Sequence, residues 1–305
     1  MLSSLWTGDG QTGSLLRMKE TYFKDDLTRF SPRHEVLIAI DSDGCVFDSM
    51  TIKQRIFHDG IIEFWGLEAA AADVRKLCEW VGLFSPWRGL NRFQLILKIF
   101  QTLEEFLPNL GNVLPTKPLE GFVNSGVALS MAELKKYDGD PGLRRVLEWS
   151  EEMSRRIAAL PPIPVFDEVF QGLEKIRTMA DAIVVSQTTE EALVREWRNA
   201  GLEKFVDVIA GAELGSKIES LGTVMKNRYT PERTLMVGDA PGDLETARAT
   251  GSLFFPIISG DEVASWAELR EEGLDHLLNG TFSVVYQNDL ISRFNAALSD
   301  TPPWI

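Results

Sequence analysis

Short apolar runs alternate with helix-patterned stretches over most of this chain. Val36, Leu37, Ile38, Ala39 and Ile40 form an unbroken apolar run, the pattern of a strand buried on both faces. Runs of the same kind lie at 182–186, 205–210, 234–238 and 253–258. Between them, 169–179, 190–200, 216–227 and 243–249 carry helical character, and a last helix is predicted around 288–298. This alternation predicts an α/β fold, a Rossmann-like parallel sheet covered by helices on both faces.

From about residue 49 to 161 the alternation stops. Asp48 and Ser49 are good helix N-caps, and Ile52, Ile56, Ile62, Trp65 and Leu67 follow with one apolar face, interrupted at Gly60. Leu90, Phe93, Ile96, Leu97, Phe100 and Leu103 predict a second helix over 90–107, and a third is predicted over 141–160. No comparable strand series occurs in this stretch, and the Pro-rich PPIPVFD at 161–167 reads as a linker back. The expected division is therefore a core of residues 1–48 and 162–305, with an inserted helical domain over 49–161. Residues 1–30 are polar with scattered aromatics and predict an arm that packs on the core or stays partly unstructured.

Asp41 and Asp43 follow the first apolar run directly, with Gly44 next. They stand where a parallel strand runs out into a loop, the edge of an open α/β sheet at which ligands bind. Close carboxylates shift one another's pKa or take up a cation, and a hard, oxygen-seeking ion such as Mg²⁺ suits them. Asp and Gly are also ordinary turn residues, so this segment alone leaves both readings open. Three later segments change the balance. Ser186 ends the second apolar run, Lys217 follows Gly215 and Ser216, and Gly238-Asp239 with Asp243 follows the fourth run. Each has a plain structural meaning by itself: a turn serine, a solvated lysine, a helix-capping aspartate.

In this order the four segments resemble the haloacid dehalogenase-like superfamily of phosphotransferases and hydrolases, in its phosphatase type with a helical cap of the first type. Asp41-Ser42-Asp43-Gly44 matches the first motif, Ser186 the second, Lys217 the third, and Gly238-Asp239 with Asp243 the fourth. Cys45 departs from the pattern, which more often has Thr or Val there. The resemblance implies that Asp41 is a nucleophile forming an aspartyl-phosphate. It implies that Asp43 protonates the leaving alkoxide and then activates water. Ser186, Gln187 and Lys217 would bind the phosphoryl group. Mg²⁺ would be held by Asp41, Asp239 and the backbone carbonyl of Asp43, with Asp243 in support. The inserted helices resemble a cap that closes over the site, excludes water and selects substrate. Members that act on carbon–halogen or carbon–phosphorus bonds lack the second carboxylate, so Asp43 favours a phosphate-ester hydrolase. A sugar phosphomutase and a non-catalytic binder of a phosphorylated ligand are the alternatives. Within the inserted segment, SPWRGLNRF at 85–93 places Trp87, Arg88, Asn91 and Arg92 where they could face substrate. Arg88 is the candidate ligand for a substrate anion, and Trp87 can equally pack in the helical core.

Charge and composition narrow the partners. The chain has 305 residues with 31 basic and 45 acidic side chains, net −14. That balance argues against nucleic acid or an anionic membrane as the main partner, and the resemblance implies a small phosphorylated metabolite. No GxxxxGK[ST] phosphate loop is present. No apolar stretch of about 18 residues exists to span a bilayer. The N-terminus lacks the basic start and apolar core of a signal peptide. Two cysteines, Cys45 and Cys78, make no disulfide framework and suit reduced thiols in a cytoplasmic protein.

Overall fold

A computed structural model of the chain describes residues 19–110 and 114–304; most of the N-terminal arm expected from the sequence lies outside the described residues. Five strands form one parallel sheet: β1 (Leu37–Ile40), β2 (Asp181–Val185), β3 (Val208–Ala210), β4 (Thr234–Gly238) and β5 (Leu253–Pro256), in the order β3-β2-β1-β4-β5. The first strand is thus central. The chain leaves it to build β2 and β3 on one side, then crosses to β4 and β5 on the other. The register sets Ile40 opposite Val184 of β2 and Val237 of β4. The residues just past these three strand ends are therefore brought to one edge, the ligand-binding edge of such sheets.

The longer helices, numbered in chain order, fall into two groups. α1 (Ser49–Trp65), α2 (Ala71–Leu83), α3 (Arg92–Phe106), α4 (Thr116–Val123) and α5 (Pro141–Ala158) occupy the segment between β1 and β2. α6 (Val169–Met179), α7 (Glu190–Asn199), α8 (Lys217–Met225), α9 (Pro241–Thr250), α10 (Glu262–Glu268) and α11 (Val284–Ala297) alternate with or follow the later strands. Two hydrophobic clusters form. One joins all five strands to their flanking helices, and the buried members of the other all lie between Ile61 and Met153.

Four sequence expectations are refined. The helix predicted to falter at Gly60 runs straight through it. A Cβ there would lie 2.3 Å from Sδ of Met153 and 2.9 Å from Nε1 of Trp149, so the glycine lets α1 and α5 pack closely. The strand expected over 205–210 starts only at Val208, because Glu203–Phe205 makes a 3₁₀ turn. The helix expected at 243 begins at Pro241, where proline suits the first turn. α2 was not predicted, although Val74, Leu77, Cys78 and Val81 bury one face.

His58, on α1, is 5 % exposed and its Nε2 has no hydrogen-bond partner. Burial disfavours the imidazolium and lowers its pKa to about 4. The unfolded chain therefore takes a proton at about pH 6.5 that the folded chain accepts only near pH 4, so stability falls as pH drops across this window. Between pH 7.5 and 4.5 the His58 contribution should cost about 2.5 kcal/mol. Urea denaturation of wild type and His58→Gln at both pH values measures it. An equal pH dependence in the two proteins contradicts the expectation.

Candidate active site

The site is assembled at the carboxyl edge of β1 and β4. Asp41 follows β1 with its amide donating to Val237 O at 2.9 Å, so sheet pairing fixes its backbone. Side chains alternate beyond it. Ser42 turns away toward α7 and accepts from Trp197 Nε1 at 2.9 Å, while Asp41 and Asp43 stay at the edge. Gly44 is left-handed (φ +76°), and a Cβ on it would lie 2.6 Å from Asp239 Oδ2 and 2.7 Å from an Arg88 nitrogen. Gly44→Ala should therefore cost about 2 kcal/mol, from backbone strain plus displacement of the Asp239 carboxylate. A loss under about 0.5 kcal/mol in chemical denaturation, the scale of ordinary surface changes, contradicts this.

Asp41, Asp239 and Asp243 are all buried, and one carboxylate oxygen from each lies within 4.8 Å of the others. Lys217 Nζ, at the start of α8, lies 2.9 Å from Asp41 Oδ2 and 2.6 Å from Asp243 Oδ1. Ser216 caps that helix through a reciprocal bond pair with Glu219, which places Lys217 on the first turn, facing the cluster. The other oxygen of Asp243 accepts from Ala240 N at 3.0 Å. Asp243 is thus both a first-turn cap of α9 and a member of the acidic cluster. Gly238 makes room for it, since a Cβ there would lie 2.3 Å from Asp243 Cγ.

Burial pushes the carboxyls of Asp41 and Asp239 up, and their acidic neighbours add to this against the pull of Lys217 and Arg88. Burial works against the charge on Lys217, but Asp243 and Asp41 more than offset it and hold the ammonium above its ordinary range. Two oxygens, Asp41 Oδ1 and Asp239 Oδ1, are buried with no hydrogen-bond partner. A buried carboxylate oxygen without a donor is costly, and a hard cation satisfies two such oxygens at once. The donor set therefore fits Mg²⁺.

Asp43 stands apart from this trio. Its Oδ1 accepts from Lys53 Nζ on α1 at 2.6 Å and its Oδ2 from Thr188 Oγ1 at 2.7 Å. Burial works to raise its pKa, but the Lys53 ammonium and these hydrogen bonds hold the carboxyl below its ordinary range. Lys53 and Thr188 carry no motif and were not singled out from the sequence. Ser186 is buried just past β2 and its Oγ accepts from Thr188 N at 3.3 Å, leaving its own hydrogen to donate. Gln187 is exposed in the same loop.

Arg88 departs from its expected place. It is 3 % exposed, and rather than facing a substrate anion, its Nε and an Nη each lie 2.7 Å from Asp239 Oδ2. Its other Nη donates to Leu83 O and Ser259 Oγ. Trp87 packs edge-on against Trp80 at 5.5 Å, Asn91 caps α3, and Arg92 bonds Ser150 and Ser154 on α5. Cys45 lies buried, and desolvation and the nearby carboxylates push its thiol pKa up, which disfavours the thiolate.

Comparison with known proteins gives the class. Residues 90–256 match the model of the haloacid dehalogenase-like hydrolases. That is more than half of the chain, and the chain belongs to this family. The match takes in Ser186, Lys217, Asp239 and Asp243, while Asp41 and Asp43 precede it. Among curated proteins, the tyrosine-protein kinase PtkA of Mycobacterium tuberculosis and that of Mycobacterium bovis are 34% identical over 93 residues, 28% of this chain and 32% of theirs. The chain thus matches about a third of the length of these relatives. Among solved structures, a subfamily IA hydrolase of the same superfamily from Geobacter sulfurreducens is 16% identical, with 74% of this chain and 89% of that one covered and a TM-score of 0.38. A haloacid dehalogenase-like protein from Streptococcus pneumoniae is 16% identical, over 76% and 90%, with a TM-score of 0.41. A third, from Xanthomonas campestris, is 13% identical, over 83% and 96%, with a TM-score of 0.44. No helix of the described residues is long and apolar enough to cross a membrane.

Proposed function

We propose that this chain is a Mg²⁺-dependent, cytoplasmic phosphatase of small phosphate monoesters, and that residues 49–161 act as its cap. One observation carries the reading. Two unpartnered, buried carboxylate oxygens, Asp41 Oδ1 and Asp239 Oδ1, stand beside Lys217 at the ends of adjacent parallel strands.

Asp41 is the nucleophile. Its carboxylate attacks phosphorus, the P–O bond to the substrate alcohol breaks, and the leaving oxygen takes a proton from Asp43. Asp43 then removes a proton from the water that attacks the acyl phosphate, which returns Asp41 as a carboxylate and releases inorganic phosphate. Held by Lys53 and Thr188, Asp43 is set as a base. Its work as an acid requires a proton on the carboxyl and release of the Lys53 contact. Lys217 favours the ionised form of Asp41 against the effect of burial and offers charge to the phosphoryl oxygens, Ser186 donates its hydroxyl hydrogen to one of them, and Gln187 lines the mouth. Asp41, Asp239 and the Asp43 carbonyl would hold the metal, while Asp243 acts through Lys217. Bound Mg²⁺ supplies positive charge that lowers the repulsion between the carboxylate and the phosphoryl group.

The test is phosphate release from a panel of small phosphate esters, with and without Mg²⁺. Release that requires the metal supports the reading. Transfer of the phosphoryl group to a sugar hydroxyl or a tyrosine, the latter suggested by the name of the mycobacterial tyrosine-protein kinases, shifts the assignment from hydrolase to phosphotransferase. No turnover of any ester, with the metal bound, contradicts it.

A further inference from the structure

Three buried carboxylates, Asp41, Asp239 and Asp243, share two cations. Lys217 comes from the start of α8. The second, Arg88, comes from the segment joining α2 to α3 and crosses to β4 to reach its partner. Both members of the Arg88–Asp239 pair have side chains only 2 % exposed. The guanidinium is anchored on its far side by Leu83 O at 3.2 Å and Ser259 Oγ at 3.0 Å. Its Nε also donates to the Asp239 carbonyl at 3.1 Å.

We infer that Arg88 is a resident counter-cation that competes with the metal for Asp239, so that metal loading and the Arg88 latch oppose each other. This rests on the metal reading above. An arginine here has two effects of opposite sign. By gripping Oδ2 it fixes the carboxylate with Oδ1 left unpartnered, which favours a metal ion. As a buried positive charge on a ligand carboxylate, it repels a divalent ion over a few ångströms of protein. Orientation of one side chain is worth a fraction of a tenfold change in affinity, whereas a full charge against a double charge at this range is worth far more. Repulsion therefore wins. Linkage then demands the converse: a metal ion on the cluster weakens the grip of Arg88 on Asp239. Without metal, the segment carrying Arg88 is pinned over the acidic cluster. With metal, it is freed to move and admit substrate.

Two measurements on the intact chain test this. Calorimetric titration with Mg²⁺ should give at least about tenfold tighter binding to Arg88→Met than to wild type, about 1.4 kcal/mol. Arg88→Lys, which keeps the charge, should stay within about threefold of wild type. Hydrogen exchange of wild type alone, which needs no variant to fold, should show faster exchange over residues 84–91 when Mg²⁺ is added. Amides bonded within that bend, Arg88 N to Ser85 O and Leu90 N to Trp87 O, are the reporters. Equal or weaker Mg²⁺ binding by folded Arg88→Met, or slower or unchanged exchange over 84–91 with metal, overturns the latch and leaves the metal site standing. Absence of Mg²⁺ binding to wild type and to both variants overturns the metal site and the latch together.

Discussion

Asp41→Asn is expected to lower Mg²⁺-dependent phosphate release by at least about 10³-fold while leaving the fold intact. The amide is nearly the same shape, keeps the backbone bond to Val237, and leaves Lys217 paired with Asp243 at 2.6 Å. It cannot form an acyl phosphate by direct attack. Removal of the nucleophile in a hydrolase that forms an acyl intermediate costs about 10⁶ in rate, so 10³ is a conservative floor. One buried negative charge is also lost from a site that holds three, which relieves repulsion, so thermal stability should hold or rise slightly. Phosphate release by folded Asp41→Asn within tenfold of wild type removes Asp41 from the nucleophile's role.

Lys217→Met should affect both stability and turnover. The ammonium lies within 3 Å of two buried carboxylates, and breaking such a pair by removing one partner costs about 3–5 kcal/mol. The sign of the pH response follows. Burial already raises the proton affinity of Asp41 in the folded state against the pull of Lys217; without Lys217 it rises further, so lowering the pH restores stability to the variant relative to wild type. Mg²⁺ should restore it too, because a divalent charge replaces the lost one and binding to the native state raises stability. Thermal melts at pH 7.5 and 5.5, with and without Mg²⁺, read all three effects. A melting temperature equal to that of wild type at pH 7.5 would show that Lys217 is not the charge balancing this cluster.

Much of this architecture is legible in the chain because the relevant signals are local. Five apolar runs announce the sheet, and each strand found overlaps one of them. Asp41, Ser186 and Asp239 end such runs, so register alone brings them to one edge. Lys217 is marked by the helix start that Ser216 and Glu219 cap. What the sequence hides is long-range. Arg88 meets a carboxylate 151 residues away, and nothing near position 88 says which residue its guanidinium will reach. Lys53 is one more polar position in an amphipathic helix until the fold turns it toward Asp43. Asp243 caps α9 with one oxygen, as its position after the fourth apolar run suggested, while its other oxygen accepts from Lys217, a partner 26 residues away that no local signal names. The miss at α2 is of another kind: its apolar face was present in the sequence, but two alanines and an isolated aspartate at its start gave no clear beginning.

The central claim is covalent catalysis by Asp41, and its most direct measurement is mass spectrometry of protein quenched in acid during turnover of a hydrolysed ester. A phosphoryl adduct on the peptide that contains Asp41, absent in Asp41→Asn and, with an aryl ester whose leaving group needs no proton, enriched in Asp43→Asn because only water attack on the acyl phosphate is then slowed, is the expected result. Turnover with no adduct on that peptide, or an adduct on another residue that persists in Asp41→Asn, contradicts the claim.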